Sequence, residues 1–326
     1  MRAHHLTRTA KGIAASVLSA IGFGLLPTLN AGGEAAGLDT WDRIAIRFFG
    51  TAMILIPVLL LRKQNPKLPK GLWLRMFLLS VFAFGLTSVL LFFGYRHAPT
   101  GLVTVLHFNY PLIVMLMCAA TGTEKLSPSI VAAAGASILG LTIIIEPWHT
   151  GMATAQGIFL ALASAVTFAC YVMSLNRPEI KRLDNTVLIF WLSFFSGSVA
   201  LGYVVVRTIV EGGHPPVDVT AALIPSLGLI LCSTVGAASL FSIGNRLVGG
   251  TTASILSMCE PVTAVLLGRI VLGEQLRTKF LFGAVLVLAS ATMISIVRIR
   301  EKERPSCQAT ERRKPRRGCT KPTDTL

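Results

Sequence analysis

Leu256-Ser257-Met258-Cys259-Glu260-Pro261, followed by Leu272-Gly273-Glu274-Gln275-Leu276, decides the reading of this chain, because the pattern occurs twice. About 150 residues earlier stand Leu106-His107-Phe108-Asn109-Tyr110-Pro111 and then Thr123-Glu124-Lys125-Leu126. The same offset sets Gly94 against Gly244 and Arg96 against Arg246. Both copies lie in strongly apolar sequence. A duplicated apolar unit with a proline in each copy points to a membrane protein with a site between two related halves.

The composition around the motif agrees. The 326 residues are 53% hydrophobic and only 14% charged, whereas about a quarter of a soluble protein is charged. Apolar runs recur along the chain, among them 53–61, 76–93, 102–120, 158–172 and 281–297. A helix of roughly 20 apolar residues crosses the hydrocarbon core, and only helices and closed barrels satisfy their backbone groups in lipid. The runs are too long and too uniformly apolar for barrel strands. The expectation is an all-α integral membrane protein with ten transmembrane helices, at 13–29, 43–61, 73–93, 102–120, 130–146, 156–175, 186–207, 219–243, 250–272 and 279–297. The pair at 186–243 is the least regular, since Pro225 and several glycines interrupt it. The first span, after Arg2, Arg8 and Lys11 and before Ala31-Gly32-Gly33, has the outline of a signal peptide. It reads better as a retained helix, because Gly12, Ser19, Ala20 and Phe23 recur as Gly157, Ser164, Ala165 and Phe168.

A formal net charge of +15 on a membrane protein reads first as topology, since cytoplasmic loops carry excess Lys and Arg. With ten spans and both termini cytoplasmic, one side collects Arg62, Lys63, Lys67, Lys70, Arg75, Lys125, Arg177, Lys181, Arg182, Arg246 and both basic ends. The other side holds only Arg43, Arg96, Arg207, Arg277 and Lys279. Residues 299–326 read as a basic, disordered cytoplasmic tail, whose Arg312-Arg313-Lys314 and Arg316-Arg317 suit anionic lipid. The tail has no aromatic interleaving, so nucleic acid is not the partner expected of it. The six cysteines show no metal-ligand spacing, and no cofactor motif is visible.

Residues 1–148 and 152–298 each hold five spans, and an odd number turns the second half upside down relative to the first. Five-helix halves, Arg47-Phe48 in the second span, Tyr110-Pro111 with Thr123-Glu124-Lys125-Leu126, and Glu260-Pro261 with Leu272-Gly273-Glu274-Gln275-Leu276 resemble the drug/metabolite transporter superfamily, specifically its EamA-like branch. The resemblance runs from about residue 10 to 298, and Thr123 departs from it where the second copy has Gly273. It implies a ten-helix inner-membrane carrier of small organic solutes, often an exporter of metabolites or drugs, built as two inverted repeats.

An ionisable side chain at the bilayer centre costs at least about 2.5–3.5 kcal/mol, so depth sorts the candidates. Arg47 and Arg269 lie near span ends, where a long stem reaches the interface; Arg47 is kept as a secondary polar contact. Glu260 lies about 15 Å deep by helical rise. A short carboxylate there must face a wet cavity, find a donor or hold a proton. Pro261 has no N–H and frees a carbonyl at the same depth. Ser257, Glu260 and Pro261 share a helix face, as do His107, Tyr110 and Pro111 in the first copy. These faces are expected to line a transport cavity, with Glu260 binding a cationic group or a proton and Tyr110, His107 and Ser257 adding polar contacts. The bland alternatives are a static interhelical network around Glu260 and a packed His107. Glu124 and Glu274 read as helix-end residues, Glu146-Pro147-Trp148 as an interface anchor and Asn109 as packing.

The function expected is secondary active transport of a small organic solute by alternating access, not enzyme catalysis. An integral-membrane enzyme or a channel is the alternative, although neither a catalytic cluster nor a filter motif is visible. The sequence names neither the solute nor the oligomeric state.

Overall fold

The computed structural model describes residues 2–98, 103, 106–123, 127–145, 154–272 and 278–303, and every regular element among them is a helix. In chain order, α1 (Arg2–Gly24) runs into α2 (Leu26–Ala35), and α3 (Thr40–Leu61) and α4 (Trp73–His97) follow. Then come α5 (Tyr110–Thr121), α6 (Pro128–Ile145), α7 (Ala155–Ser174) and α8 (Asn185–Val210). The chain continues through α9 (Val219–Val248), α10 (Gly250–Leu256), α11 (Glu260–Leu272) and α12 (Thr278–Glu303).

Local chemistry sets the helix starts. Before α3, the Asp39 carboxylate accepts from the Asp42 N–H at 2.8 Å and the Asp42 carboxylate accepts from the Asp39 N–H at 3.0 Å, a reciprocal cap that satisfies two otherwise orphan donors. Thr154, Asp184 and Asp218 cap α7, α8 and α9 one way, each side-chain oxygen accepting from one backbone N–H of the first turn. Gly122, at φ 64°, closes α5 in a left-handed turn.

Among the described residues, six helical stretches are long and apolar enough to cross a membrane: 7–35, α3, α4, α7, α8 and α9. The expected spans 102–120, 130–146, 250–272 and 279–297 fall on α5, α6, the α10–α11 pair and α12. Two expectations change. The first span continues past 29 through α2 to Ala35. The irregular second pair resolves into continuous helices, because Pro225 in α9 packs its ring against Gly32 of α2 and the helix runs on through it; tertiary contact overrides local propensity.

The helices pair in a patterned way. α3 packs along α8, α6 along α12, α1 against α9, and α4 against α7. The last two are one contact made twice. A Cβ on Gly12 would meet the Val248 side chain at 2.6 Å, and one on Gly157 would meet the Ala98 Cβ at 2.5 Å; Gly12 and Gly157 correspond, as do Val248 and Ala98. Both α4 and α9 contain a π-helical stretch, Leu79–Gly85 and Leu229–Ala238, beginning at corresponding positions. Such bulges recur at functional sites. Gly197 of α8 sits against the backbone of Phe48-Phe49 in α3, where a Cβ would lie 2.6 Å from the Phe49 Cα.

Charged residues gather at two ends of the bundle. At one, Arg43 pairs with Glu34 at 2.8 Å, Arg207 pairs with Asp39 and Asp42, and His214 Nε2 lies 3.1 Å from Asp42 Oδ1. At the other, Arg75 pairs with Glu179 at 3.1 Å, and Arg246 Nη1 donates to the Leu183 carbonyl at 2.8 Å. Arg96 lines a cavity with Asp39 and Arg43, so Arg96 and its counterpart Arg246 stand at opposite ends.

Candidate functional site

The two proline motifs break their helices at the same register. α10 stops at Leu256, a single 3₁₀ turn covers Ser257–Cys259, and α11 starts at Glu260. The cause is Pro261, which offers no N–H and whose ring excludes a carbonyl four residues back. In the first copy the chain turns at Phe108-Asn109 and α5 starts at Tyr110, one residue before Pro111. The ninth span, 250–272, is thus helical throughout, with its disturbed turn at Ser257–Cys259 just before Pro261.

Glu260 is half-buried, and its backbone packs on α1, with the Glu260 carbonyl 3.1 Å from where a Gly24 Cβ would lie. Arg47 supplies the opposing charge it faces. The sequence placed Arg47 near enough to the interface to extend out to it. The structure instead buries it at 6% exposure. Its Nε donates to Thr234 Oγ1 at 3.0 Å, and its guanidinium lies 5.0 Å from the Phe48 ring centroid. A hydroxyl and a ring face inside the bundle substitute for interfacial water. Among the described residues, no direct ion pair joins Arg47 to Glu260, so the carboxylate and the guanidinium share one region without closing on each other.

Tyr110 crosses from one break to the other. Its ring is 2% exposed, and its hydroxyl reaches the Ser254 carbonyl at 3.5 Å and the Ser257 side chain. Ser257 donates back to the Ala253 carbonyl at 2.9 Å. The structure therefore brings Tyr110, Ser257, Glu260 and Arg47 into one region, with both prolines at its edges. His107 stands apart from this polar group. Its Nδ1 lies 2.9 Å from Ser164 Oγ. Its ring packs against Tyr110 at 5.5 Å and Phe168 at 5.7 Å, centroid to centroid. Asn109 donates to the Leu106 carbonyl at 3.3 Å, a local turn contact.

Sequence reasoning missed Thr234, Ser254 and Phe168. Thr234 sits in the π-helical stretch of α9, for which the residue pattern gives no sign. Phe168 corresponds to Phe23 of the first half, which marks the repeat but not the ring contact with His107 and Tyr110. The Asp39–Asp42–Arg207–His214 cluster was also missed, although Asp39 and Asp42 three apart before an apolar run spell out a helix cap. Among the described residues, no group of His, Cys, Asp and Glu could hold a metal ion. The Arg269 side chain, Glu124, Glu274, Glu146-Pro147-Trp148 and the tail from 304 lie outside the described residues.

Apolar helices wrapped around a half-buried carboxylate define a multi-pass membrane protein with a polar site at paired helix breaks. The EamA-like transporter family matches residues 10–146 and 155–296. The chain belongs to that family. It is 27% identical over 196 residues to the uncharacterized inner membrane transporter YicL of Salmonella typhimurium, covering 59% of this chain and 63% of that one. It is 25% identical over 251 residues to Protein PecM of Dickeya dadantii, covering 76% of this chain and 82% of PecM. The match spans 63%, less than two thirds, of YicL and equally of the uncharacterized transporter sll1319 of Synechocystis. A crystal structure of a protein 18% identical in sequence superposes with a TM-score of 0.74 over 89% of this chain and 98% of its own; that likeness concerns the fold.

Proposed function

We propose that the protein is a secondary active transporter that moves a small organic metabolite or drug, in the direction of export, by alternating access. On this reading ten helices cross the inner membrane in two inverted five-helix repeats, 1–148 and 152–298, with both termini and the basic tail of 299–326 in the cytoplasm. The duplicated α1–α9 and α4–α7 contacts and the opposite placement of Arg96 and Arg246 support the inversion. The basic tail meets anionic lipid.

The observation that carries the mechanism is the half-buried Glu260 at a helix break, in the same region as the hydroxyls of Tyr110 and Ser257 and the guanidinium of Arg47. Broken helices of this kind place free backbone groups and charge at one depth, where substrate and coupling ion bind in carriers. Glu260 binds a cationic group of the solute or a proton, and Arg47 neutralises it once that partner leaves. Occupancy changes the charge balance between the halves and so biases which side is open. His107 positions the Tyr110 ring instead of touching solute.

The test is flux in proteoliposomes of the solute found by a metabolite screen of cells with and without the gene. Glu260→Gln is expected to lose flux about 10- to 100-fold, the rate equivalent of a charged contact worth about 1.5–3 kcal/mol, together with its pH dependence. Wild-type flux with an unchanged pH profile would refute the assignment.

A further inference from the structure

A cavity of about 480 Å³ opens at the Asp39 end of the bundle, away from the paired helix breaks. Its wall includes Asn30, Glu34, Arg43, Phe92, Tyr95 and Arg96. The volume is in the range of small-molecule sites. The cavity shares its helices with the Glu260 region. Asn30 follows Gly24 by six residues, about 9 Å of helical rise, and Arg43 lies one turn from Arg47 on α3.

Its charges are unevenly committed. Arg43 Nη1 already donates to Glu34 at 2.8 Å and to the Asn30 carbonyl at 2.9 Å. Asp39 is held by the α3 cap and by Arg207. Arg96 is exposed, lies 5.9 Å from the Phe93 ring centroid, and has no acidic partner among the described residues. Asn30 contributes a second unmet demand, since its side-chain Nδ2 and Oδ1 are both buried without a hydrogen bond. Burying an amide with neither atom paired is costly unless something else pairs it. A free guanidinium and an orphan amide beside two aromatic rings match one ligand chemistry, an organic carboxylate with an apolar or aromatic body.

We propose that this cavity is a second binding station, in which Arg96 takes the carboxylate of the transported solute, the Asn30 amide hydrogen-bonds it, and Phe92 and Tyr95 flank its body. The inference rests on the carrier reading for its role, as the place where solute waits on its way to or from Glu260, and it adds the carboxylate to the substrate class.

Calorimetric titration of the full chain in detergent with phenylacetate tests it without any transport step. Wild type is expected to bind saturably, with one carboxylate per chain, and to ignore the neutral isostere phenylacetamide. Arg96→Gln is expected to bind roughly tenfold more weakly or worse, and Arg96→Lys to fall between. Asn30→Ala is expected to weaken binding while leaving the discrimination against phenylacetamide. Lys70→Gln, exposed at the opposite end, is expected to bind as wild type. No saturable binding by wild type, equal binding by Arg96→Gln, equal affinity for phenylacetamide, or the same loss in Lys70→Gln would each overturn the proposal. Those results would leave the Glu260 flux assay standing, so the two readings fail separately.

Discussion

At Pro111 and at Pro261 the chain breaks a helix at the same register and then places different side chains there. The first break presents His107 and Tyr110; the second presents Ser257 and Glu260 in the same positions. The first is aromatic and packed, with His107, Tyr110 and Phe168 in ring contact. The second is small and acidic, and Glu260 keeps partial accessibility where its counterpart Tyr110 is 2% exposed. Features that match between the halves, such as Gly12 with Gly157, Gly94 with Gly244 and the two π-helical stretches, hold helices together. On the proposed reading, features that differ carry the chemistry. A scaffold can be duplicated without its site, because close packing needs the same small residues on both sides whereas one carboxylate suffices to bind one charge.

The comparison is sharpest in paired variants. Glu260→Gln and Tyr110→Phe each remove one functional group at corresponding positions. Flux is expected to fall about 10- to 100-fold for the first and about 2- to 10-fold for the second, as befits a charged against a neutral hydrogen bond. Equal losses in proteoliposome counterflow would break the asymmetry.

The scaffold residues should behave oppositely, costing stability in both halves. Gly157→Ala would drive a Cβ to 2.8 Å from the His97 carbonyl carbon, while Gly12→Ala meets side chains at 2.6 and 2.7 Å. Each is expected to cost about 1–3 kcal/mol, with Gly157 the larger because backbone yields less than a side chain. Thermal unfolding in detergent reads both. Neutral behaviour at either position would undo the claim that these seams are shared.

The smallest effect belongs to the charged cluster at the Asp39 end of the bundle. His214 lies in the loop before α9, and its ring nitrogens both face acceptors, Asp42 Oδ1 at 3.1 Å and the Pro215 carbonyl at 2.8 Å. Arg207, on α8, pairs with the same Asp42. The hydrogen bond to Asp42, then that to Pro215, hold the imidazole in its charged form above its usual range. A raised folded pKa gives stability that is fully present below the unfolded value, about 6.5, and is lost as pH rises through the folded value. Melting temperature should therefore drop slightly between pH 6 and pH 9, and His214→Gln should remove that part of the slope. A slope unchanged by the substitution would remove His214 from the account.

Much of this was legible in the residues. The helical class followed from apolar run length, and the meeting of Tyr110, Ser257 and Glu260 followed from one repeated offset and two prolines. Arg47 was misread because depth along a helix says nothing of what waits inside; Thr234 and Phe48 hold it in. The first span reads as ending at residue 29, before Ala31-Gly32-Gly33, whereas the helix runs on and its Asn30 and Glu34 line a cavity and pair with Arg43. The π-helical stretches were invisible, since an extra residue per turn leaves no trace in composition. Each failure sits where a polar group inside the bundle replaced water.

The central claim is that the paired breaks form a pathway open alternately to each side. Ser257, now 2% exposed, reports on it directly when replaced by cysteine in a chain with its six native cysteines removed. A membrane-impermeant thiol reagent is added to vesicles of each orientation. The account predicts modification from both sides, slowed by saturating solute. Reaction from neither side, or from one side only whatever the solute concentration, would contradict it.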